Sequence, residues 1–466
     1  MIELKTINFK YMNGEKNSLN NINLEIKKGE FILLCGCSGS GKTSITRVIN
    51  KLIPEYYTGE LTGDVKINDT LISNYQMFEL SEIVGSVFQN PKTQFFNVDT
   101  DSEIVFGLEN QAIPRDILKE RLIETYLTLG IKDLENRNIF HLSGGEKQKI
   151  AFASIYAMNP DIYLLDEPSS NLDKQTIDVL KKHLSILKNS GKTVIISEHR
   201  IYYLMDLVDK VIYIKNGQIQ ANYSENDFFD LSNTKIKNMG LRDRNETKLL
   251  IKENLNLDKQ SYFQIKNLTI YRKKRTILNN INFSAERGDI IAVLGSNGIG
   301  KTTFLRTLCG LHEEYKGDVL LDSIKNDNEK RKQKTYMVMQ DVNYQLFAES
   351  VDSECKLGIK NIKDVYIDEI LTDFDLVEYK ENHPNTLSGG QKQRLAIAVG
   401  LIYGKEILIL DEPTSGLDYI NMLMTSELLK EHSKDKIIFI ATHDMEFANL
   451  VCNRVLDLEK HKICIT

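Results

Sequence analysis

Gly36-Cys37-Ser38-Gly39-Ser40-Gly41-Lys42-Thr43 returns later in the chain as Gly295-Ser296-Asn297-Gly298-Ile299-Gly300-Lys301-Thr302. Both stretches have the spacing of a phosphate-binding loop, in which glycines let backbone N–H groups surround phosphate oxygens at the start of a helix. The lysine of this pattern reaches the β- and γ-phosphates, and the threonine hydroxyl ligates Mg²⁺. The residues predicted to bind nucleotide here are Gly36, Ser38, Gly39, Ser40, Gly41, Lys42, Thr43 and Ser44, and in the second copy Gly295, Asn297, Gly298, Gly300, Lys301, Thr302 and Thr303.

An internal repeat organises the chain. Leu19-Asn20-Asn21-Ile22-Asn23, ahead of the first glycine-rich loop, recurs as Leu278-Asn279-Asn280-Ile281-Asn282 ahead of the second. The repeat predicts a first domain over 1–223 and a second over 261–466. The polar segment 224–260 between them has no motif in either copy and is predicted as a linker, with a short helix over 247–251.

Composition is that of a soluble globular protein. The 466 residues include 59 basic and 65 acidic side chains, for a formal charge of −6. Binding to nucleic acid needs clustered Lys and Arg, so we expect no nucleic-acid partner. No apolar run approaches the roughly 20 residues that cross a bilayer, and the start of the chain has no signal-peptide pattern.

In both halves, short β-rich runs alternate with amphipathic helical stretches. This alternation predicts an α/β fold with a mostly parallel sheet covered by helices. The segments 98–141 and 349–386 are helical in pattern and predict a separate subdomain in each half. Three strands are predicted at equivalent positions in the two halves. They are 31–35 and 290–294, 162–165 and 407–410, and 193–197 and 437–441.

Carboxylates and histidines follow these strands at matched positions. Leu165-Asp166-Glu167 and Leu410-Asp411-Glu412 have the form of a Walker B strand end, where the aspartate holds Mg²⁺ and the glutamate polarises the attacking water. His199 and His443 lie just past a later strand. Ligands of open α/β sheets bind at this edge, so each histidine is predicted to contact the γ-phosphate.

Leu142-Ser143-Gly144-Gly145-Glu146 and Leu387-Ser388-Gly389-Gly390-Gln391 match the ABC signature motif, each ahead of its Walker B strand. With these motifs the chain resembles two complete ABC ATPase domains in tandem, apart from the linker. The resemblance implies two P-loop NTPase domains, each with a RecA-like, mostly parallel sheet core and a helical subdomain. From the residues alone, Ser-Gly-Gly at a helix start offers a hydroxyl and free amides to an anion.

The resemblance also implies that each signature faces the nucleotide of the other half. Lys42 would then share an ATP with Ser388 and Gly390, and Lys301 with Ser143 and Gly145, so that one chain forms both ATP sites between its halves. Tyr11 and Tyr271 are expected to stack on adenine. The D-loops of the family correspond to Asn171-Leu172-Asp173 and Gly416-Leu417-Asp418.

The most discriminating local pattern is Gln89-Asn90-Pro91-Lys92-Thr93-Gln94-Phe95-Phe96, with a second form from Gln340 to Phe347. Gln89 and Gln340 hold the Q-loop position, where an amide senses the γ-phosphate or Mg²⁺. This form resembles the ATPases of energy-coupling factor importers of vitamins, metals or their precursors. Their partners are small integral membrane subunits, a transmembrane coupling protein and a substrate-binding membrane protein, which implies a peripheral location on the cytoplasmic face of the cell membrane.

Two other classes are open. A tandem ABC translation factor would act on ribosomes, and a fused sugar-importer ATPase would serve a different transporter. ATP and Mg²⁺ are the expected cofactors, and both sites are expected to be active because each half carries the lysine, the aspartate, the glutamate, the signature serine and the histidine. The predicted catalytic residues are Glu167, Glu412, His199, His443, Gln89 and Gln340, and the predicted metal ligands are Thr43, Asp166, Gln89, Thr302, Asp411 and Gln340.

Overall fold

The computed structural model describes residues 1–12, 14, 16–170, 172–251, 261–359 and 364–462. Several predictions fall partly outside these residues, namely Asn171 of the first D-loop, 252–260 of the linker, 360–363 of the second helical subdomain, and 13, 15 and 463–466 of the two predicted domains. The chain divides into two compact units, Met1–Glu246 (unit 1) and Thr247–Thr466 (unit 2).

The described part of unit 1 contains strands that form two sheets, with helices between them. The strands are β1 Ile2–Tyr11, β2 Leu19–Ile26, β3 Phe31–Cys35, β4 Gly59–Ile67, β5 Thr70–Leu71, β6 Val84–Val87, β7 Ile162–Asp166, β8 Thr193–Ser197, β9 Lys210–Lys215 and β10 Gln218–Ser224. The helices are α1 Lys42–Ile49, α2 Leu52–Glu55, α3 Met77–Ile83, α4 Thr100–Asn110, α5 Arg115–Leu129, α6 Gly144–Met158, α7 Lys174–Asn189, α8 Glu225–Phe229 and α9 Asn233–Asn238.

The larger sheet of unit 1 has the order β10-β9-β3-β8-β7-β6, and the smaller one is antiparallel with the order β2-β1-β4-β5. Strand β3 pairs in parallel with β8 and β9 and is buried on both faces. Leu33 packs into the core on the helical side, while Ile32 and Leu34 pack into the core shared with the antiparallel sheet and α1. A central parallel strand buries both faces, which explains why this stretch carries no charge.

Unit 2 repeats this plan over its described residues. Its strands are β11 Phe263–Arg272, β12 Arg275–Ala285, β13 Ile290–Leu294, β14 Tyr315–Leu321, β15 Ile324–Lys325, β16 Thr335–Val338, β17 Ile407–Asp411, β18 Ile437–Ala441 and β19 Arg454–Asp457. Its helices are α10 Lys301–Leu308, α11 Asn328–Lys334, α12 Val351–Lys356, α13 Asp364–Asp373, α14 Gly389–Ile402, α15 Tyr419–Glu431 and α16 Met445–Val451. The sheets have the orders β16-β17-β18-β13-β19, all parallel, and β12-β11-β14-β15.

The predicted fold class is confirmed, and the topology positions the site. In each unit the glycine-rich loop joins the C-terminal end of the central strand, β3 or β13, to the helix that follows it, α1 or α10. The ends of β7 and β8, and of β17 and β18, lie at the same edge because these strands are parallel to the central one. Helices α4 and α5 lie in the first region predicted as a helical subdomain, 98–141, and α12 and α13 lie in the second, 349–386.

The segment 224–260 differs from the expected linker in its first part. Helices α8 and α9 begin at serine N-caps, and Phe228, Ile236, Met239 and Leu241 are buried in the core of unit 1. Burial of these apolar side chains stabilises the packing of the segment on unit 1, which a solvated linker would not provide. The boundary between the units accordingly falls after Glu246. The predicted helix over 247–251 is wrong, because this stretch has no regular secondary structure, and its Leu249 and Ile251 pack against the core of unit 2.

No helix in the described ranges is long and apolar enough to cross a membrane.

Candidate nucleotide-binding and hydrolysis site

The glycine-rich loop of unit 1 curls around the ammonium group of its own lysine. Lys42 Nζ donates to the carbonyls of Gly36 (2.8 Å) and Cys37 (3.0 Å), and its side chain is buried. Gly41, ahead of α1, has a φ of 107°, and a Cβ there would lie 2.9 Å from the carbonyl oxygen of Ser18. Only glycine fits this conformation without strain. The loop therefore presents a cation and a helix start to an anion.

The loop of unit 2 has the same shape with one further contact. Gly300 has a φ of 114°, and Lys301 Nζ donates to the carbonyl of Gly295 at 2.9 Å. His443 Nε2 lies 2.6 Å from Lys301 Nζ and 2.8 Å from Asn297 Oδ1. The structure thus brings the predicted γ-phosphate histidine of unit 2 onto its phosphate loop. The other predicted nucleotide-binding residues lie in these loops or the first turn of the next helix, namely Ser38, Gly39, Ser40, Thr43 and Ser44 in unit 1 and Gly298, Thr302 and Thr303 in unit 2.

In each unit two of the three predicted metal ligands, the threonine and the aspartate, lie side by side. Thr43 Oγ1 donates to Asp166 at 3.1 Å, and Thr302 Oγ1 donates to Asp411 at 2.8 Å. Burial raises the pKa of both aspartates, and a cation beside them would favour the charged form. Magnesium takes few protein oxygens and completes its shell with phosphate and water, so a hydroxyl with one carboxylate fits it.

The glutamate of unit 1 is held between two other predicted catalytic residues. Gln89 Nε2 donates to Glu167 Oε2 at 2.7 Å, and His199 Nε2 lies 3.1 Å from Glu167 Oε1. The backbone of Glu167 has a φ of 45°, in the left-handed region that non-glycine residues avoid. A strained position of this kind, at a residue that is neither asparagine nor aspartate, is a feature found at functional sites.

Unit 2 repeats the strained glutamate with a different set of contacts. Glu412 has a φ of 50°, its Oε2 accepts from the backbone N–H of His443 at 3.1 Å, and its Oε1 lies 3.4 Å from His443 Nε2. Gln340 follows β16 as Gln89 follows β6. A glutamate and a histidine at this distance can hold and orient a water molecule for attack on a phosphate.

The second glutamine of the repeated Q-loop pattern fixes the shape of that loop. The side-chain carbonyl of Gln94 accepts from the backbone N–H of Phe88 at 3.3 Å, and that of Gln345 accepts from Met339 at 3.0 Å. Both glutamines therefore fasten the residue just before the Q-loop glutamine, which accounts for their recurrence in the sequence.

A buried acid at the start of the next helix holds the far end of the same loop. Glu103 accepts from the backbone N–H of Asn97 at 2.8 Å, and Glu354 accepts from that of Ala348 at 2.8 Å. Both carboxylates are almost fully buried. The two Q-loops thus share one construction.

The predicted adenine-stacking tyrosines are placed differently in the two units. The hydroxyl of Tyr11 accepts from Arg47 at 3.1 Å and lies 3.2 Å from Ser44 Oγ, so it reaches the helix after the phosphate loop. The ring of Tyr271 has the ammonium of Lys316 at 5.9 Å from its centre. Each tyrosine lies at the end of the first strand of its antiparallel sheet.

Each signature serine begins a helix. Ser143 caps α6 and shares a capping box with Glu146, and Ser388 caps α14 with Gln391 in the same way. Both serines are exposed. A capped helix start with an exposed hydroxyl can donate to a phosphate.

The two glycines after each serine have different surroundings. A methyl group at Gly144 or Gly389 would meet open space, whereas one at Gly145 would lie 3.1 Å from Thr176. Gly390 packs in the same manner, 3.4 Å from Asn421. The second glycine therefore allows close packing on the helix after the D-loop.

Sequence reasoning missed two polar residues beside the carboxylates of unit 1. Ser197, at the end of β8, donates to Asp166, and the following residue, Glu198, is buried. The only sequence signal was that polar side chains end an apolar strand here, whereas Ala441 ends the matching strand of unit 2.

Comparison with known proteins agrees with this geometry. A family model described as ABC transporter matches residues 19–170 and 278–415. A relative from Treponema denticola is 48% identical over 471 residues, covering 99% of this chain and 96% of the relative. One from Clostridium perfringens is 34% identical over 500 residues, covering 96% and 86%. Both bear the general name of ABC transporter ATP-binding proteins, with no transported substrate in it.

A model of ribosome-bound archaeal Pelota and ABCE1 is similar to this chain with a TM-score of 0.67. The match is 21% identical and covers 97% of this chain and 76% of that one, which is a likeness of fold. The two family matches fall on the two phosphate loops and the two Walker B strands described above. The chain belongs to the ABC transporter family, as an ATP-hydrolysing protein with two ATP-binding domains in tandem.

Proposed function

We propose that the chain is the motor subunit of an energy-coupling factor importer, which takes up a vitamin, a metal or a precursor of one. The observation that carries the proposal is the Q-loop form that the sequence shares with these ATPases. Supporting it, both copies of the loop are fastened at the same two ends, by Gln94 and Glu103 in unit 1 and by Gln345 and Glu354 in unit 2. A loop built so firmly suits the transmission of force to a partner.

The surface beside the first Q-loop suits a protein partner. A cavity of about 620 Å³ opens there, and it is lined by Thr43, Gln89 and Asp166 of the hydrolysis site together with the aromatic side chains Tyr56, Phe88 and Phe96. Phe96 and Tyr56, which both line the cavity, are 76% and 73% exposed, so two large aromatic side chains are available to a partner here. In the proposal a transmembrane coupling protein docks here, a second small membrane protein binds the substrate, and the chain lies on the cytoplasmic face of the membrane.

Each residue at the site then has a role in hydrolysis. Lys42 and Lys301 hold the β- and γ-phosphates, and Glu167 and Glu412 accept a proton from the attacking water. Gln89 and Gln340 sense the γ-phosphate end of the nucleotide. His199 and His443 contact the γ-phosphate itself. Mg²⁺, held by a threonine and an aspartate in each unit, would neutralise charge that develops on the phosphates.

Both halves are proposed to be active, because each carries a complete set of these groups. The proposal also includes, from the family resemblance, that Ser143 and Gly145 complete the site of Lys301, and that Ser388 and Gly390 complete that of Lys42. The adenine bases are assigned to Tyr11 and Tyr271.

The test is purification of the tagged chain from detergent-solubilised membranes of its own host, followed by mass spectrometry of the proteins that come with it. The expected result is two small polytopic membrane proteins. Phe96→Asp should release them, while Ile324→Asp, at another exposed apolar position, should not. Ribosomal proteins in place of membrane proteins would refute the importer and favour the translation factor.

A further inference from the structure

The segment around the predicted γ-phosphate histidine, His199 or His443, which we call the switch histidine, differs between the units. It reads Ser197-Glu198-His199-Arg200 in unit 1 and Ala441-Thr442-His443-Asp444 in unit 2. An acid stands before the histidine in the first and after it in the second. The two acids are 1% and 5% exposed, and a buried carboxylate needs hydrogen-bond donors to balance its lost hydration.

The carboxylate of Glu198 joins two segments of the hydrolysis site. Its Oε1 accepts from the backbone N–H groups of His199 (2.8 Å) and Arg200 (3.2 Å). Its Oε2 accepts from the backbone N–H of Ser169 (3.3 Å) and from the hydroxyl of Tyr203 (2.8 Å). One oxygen therefore holds the histidine loop, and the other holds the segment that leads from the catalytic glutamate to the D-loop.

Arg200 ties the same two segments a second time. Its guanidinium donates to the carbonyl of Leu172, in the D-loop, at 3.1 Å. His199 is thus flanked by Glu198 and Arg200, whose side chains contact the segment before the D-loop and the D-loop itself. A displacement of the D-loop therefore moves the backbone on both sides of His199.

Unit 2 joins these segments through the other acid. Asp444 accepts from the hydroxyl of Thr414 at 3.2 Å and from the backbone N–H of Phe447 at 3.2 Å, and its own N–H donates to Thr442 at 3.0 Å. Thr414 follows Glu412 at the same distance as Ser169 follows Glu167. The same connection is made in both units, from opposite sides of the histidine.

We propose that Glu198 is a positioning residue for ATP hydrolysis in unit 1, which couples the switch histidine to the D-loop, and that Asp444 does the same in unit 2. Both acids act through the backbone of the histidine loop and touch no reacting atom. Burial and the charge of Glu167 both raise the pKa of Glu198, which fits a carboxylate placed close behind the catalytic one. The inference rests on the proposed roles of Glu167 and His199 and is independent of the importer.

A glutamine at position 198 keeps the size of the side chain but not its bonding. Both oxygens of Glu198 accept from backbone N–H groups, so the NH₂ group of a glutamine would face either those of His199 and Arg200 or that of Ser169. One tie is then lost, and the histidine loop shifts relative to Glu167. A misplacement of this kind lowers kcat by about 10-fold or more, with the KM for ATP within about 2-fold, because nucleotide contacts are unchanged.

The experiment measures steady-state ATPase in the Glu412→Gln background, where unit 1 supplies the turnover. Glu198→Gln should show the loss in kcat, and Glu198→Thr should show it too. The exchange variant combines Glu198→Thr with Arg200→Asp and Ser169→Thr, which copies the arrangement of unit 2. Its kcat should return to within about 3-fold of that of the parent. A residue needed only to fill space would not be rescued by this exchange.

Two results would overturn the inference: an unchanged kcat in Glu198→Gln, or an exchange variant no faster than Glu198→Thr. The thermal unfolding midpoint of each variant separates misfolding from misplacement. If Glu198→Gln does not fold, the kcat of the exchange variant decides whether the inference holds, since that variant replaces the connection between the histidine loop and the segment before the D-loop instead of removing it. The ATPase rates of the single variants Glu412→Gln and Glu167→Gln test the assigned roles of the two glutamates. A failure of those roles can therefore be told apart from a failure of the proposed coupling.

Discussion

The clearest perturbation of the site is Glu412→Gln, with Glu167→Gln as its counterpart in unit 1. Glutamine keeps the length of the side chain but cannot take a proton from water. In unit 1 the amide would also turn a donor toward Gln89 Nε2 or His199 Nε2, which lie 2.7 Å and 3.1 Å from the present oxygens. A general base typically contributes about 10²–10⁴-fold, so each substitution should nearly abolish turnover at its own site.

The assay is steady-state ATPase of the purified chain, with nucleotide binding measured separately. If the two sites turn over equally, each single variant keeps about half of the total rate and the double variant about 1% or less. Glu431→Gln, at an exposed position at the end of α15, should keep the full rate as the matched control. Glu412→Gln with an unchanged total rate and intact ATP binding would refute the reasoning, and would make the second site regulatory.

Three further outcomes follow from the phosphate loops. Lys42→Ala and Lys301→Ala should each remove one of the two bound ATP molecules in equilibrium dialysis, and two ATP retained by either variant would contradict the assigned loops. Gly41→Ala places a side chain at a φ of 107° and should lower the unfolding midpoint by about 2–8 °C, from a strain of roughly 1–2 kcal/mol, while Gly144→Ala, in open space, should not. Burial raises the pKa of Cys35 to about 12, so this thiol should resist iodoacetamide at pH 8. Cys37 in the phosphate loop is half-buried and should react, and MgATP should protect it. Equal labelling of Cys37 with and without nucleotide, measured by peptide mass spectrometry, would count against nucleotide binding at this loop.

Much of the fold was predictable from the sequence, because local signals determine it. The strands over 31–35 and 193–197, and their counterparts over 290–294 and 437–441, have the predicted bounds, since short runs rich in apolar and β-branched residues favour a buried strand. The glycine spacing likewise fixed both phosphate loops. The family followed from the signature motif.

What the sequence concealed depends on contacts far apart along the chain. No sequence pattern singles out Glu198. Its importance depends on the hydrogen bonds that it accepts from Ser169 and Tyr203, which only the fold brings close to it. The segment after Ser224 looked polar, yet a few apolar residues among many polar ones are enough to bind it to a core. The stretch 247–251 had helical composition, but packing against unit 2 overrides weak local propensity.

The central claim, a motor that acts on a membrane partner, is tested most directly by a photo-crosslinking amino acid placed at Phe96 and activated in intact host membranes. The account predicts a crosslinked adduct with a polytopic membrane protein, and none when the same group replaces Ile324. An adduct with a ribosomal protein, or crosslinking to membrane proteins equal at both positions, would contradict it.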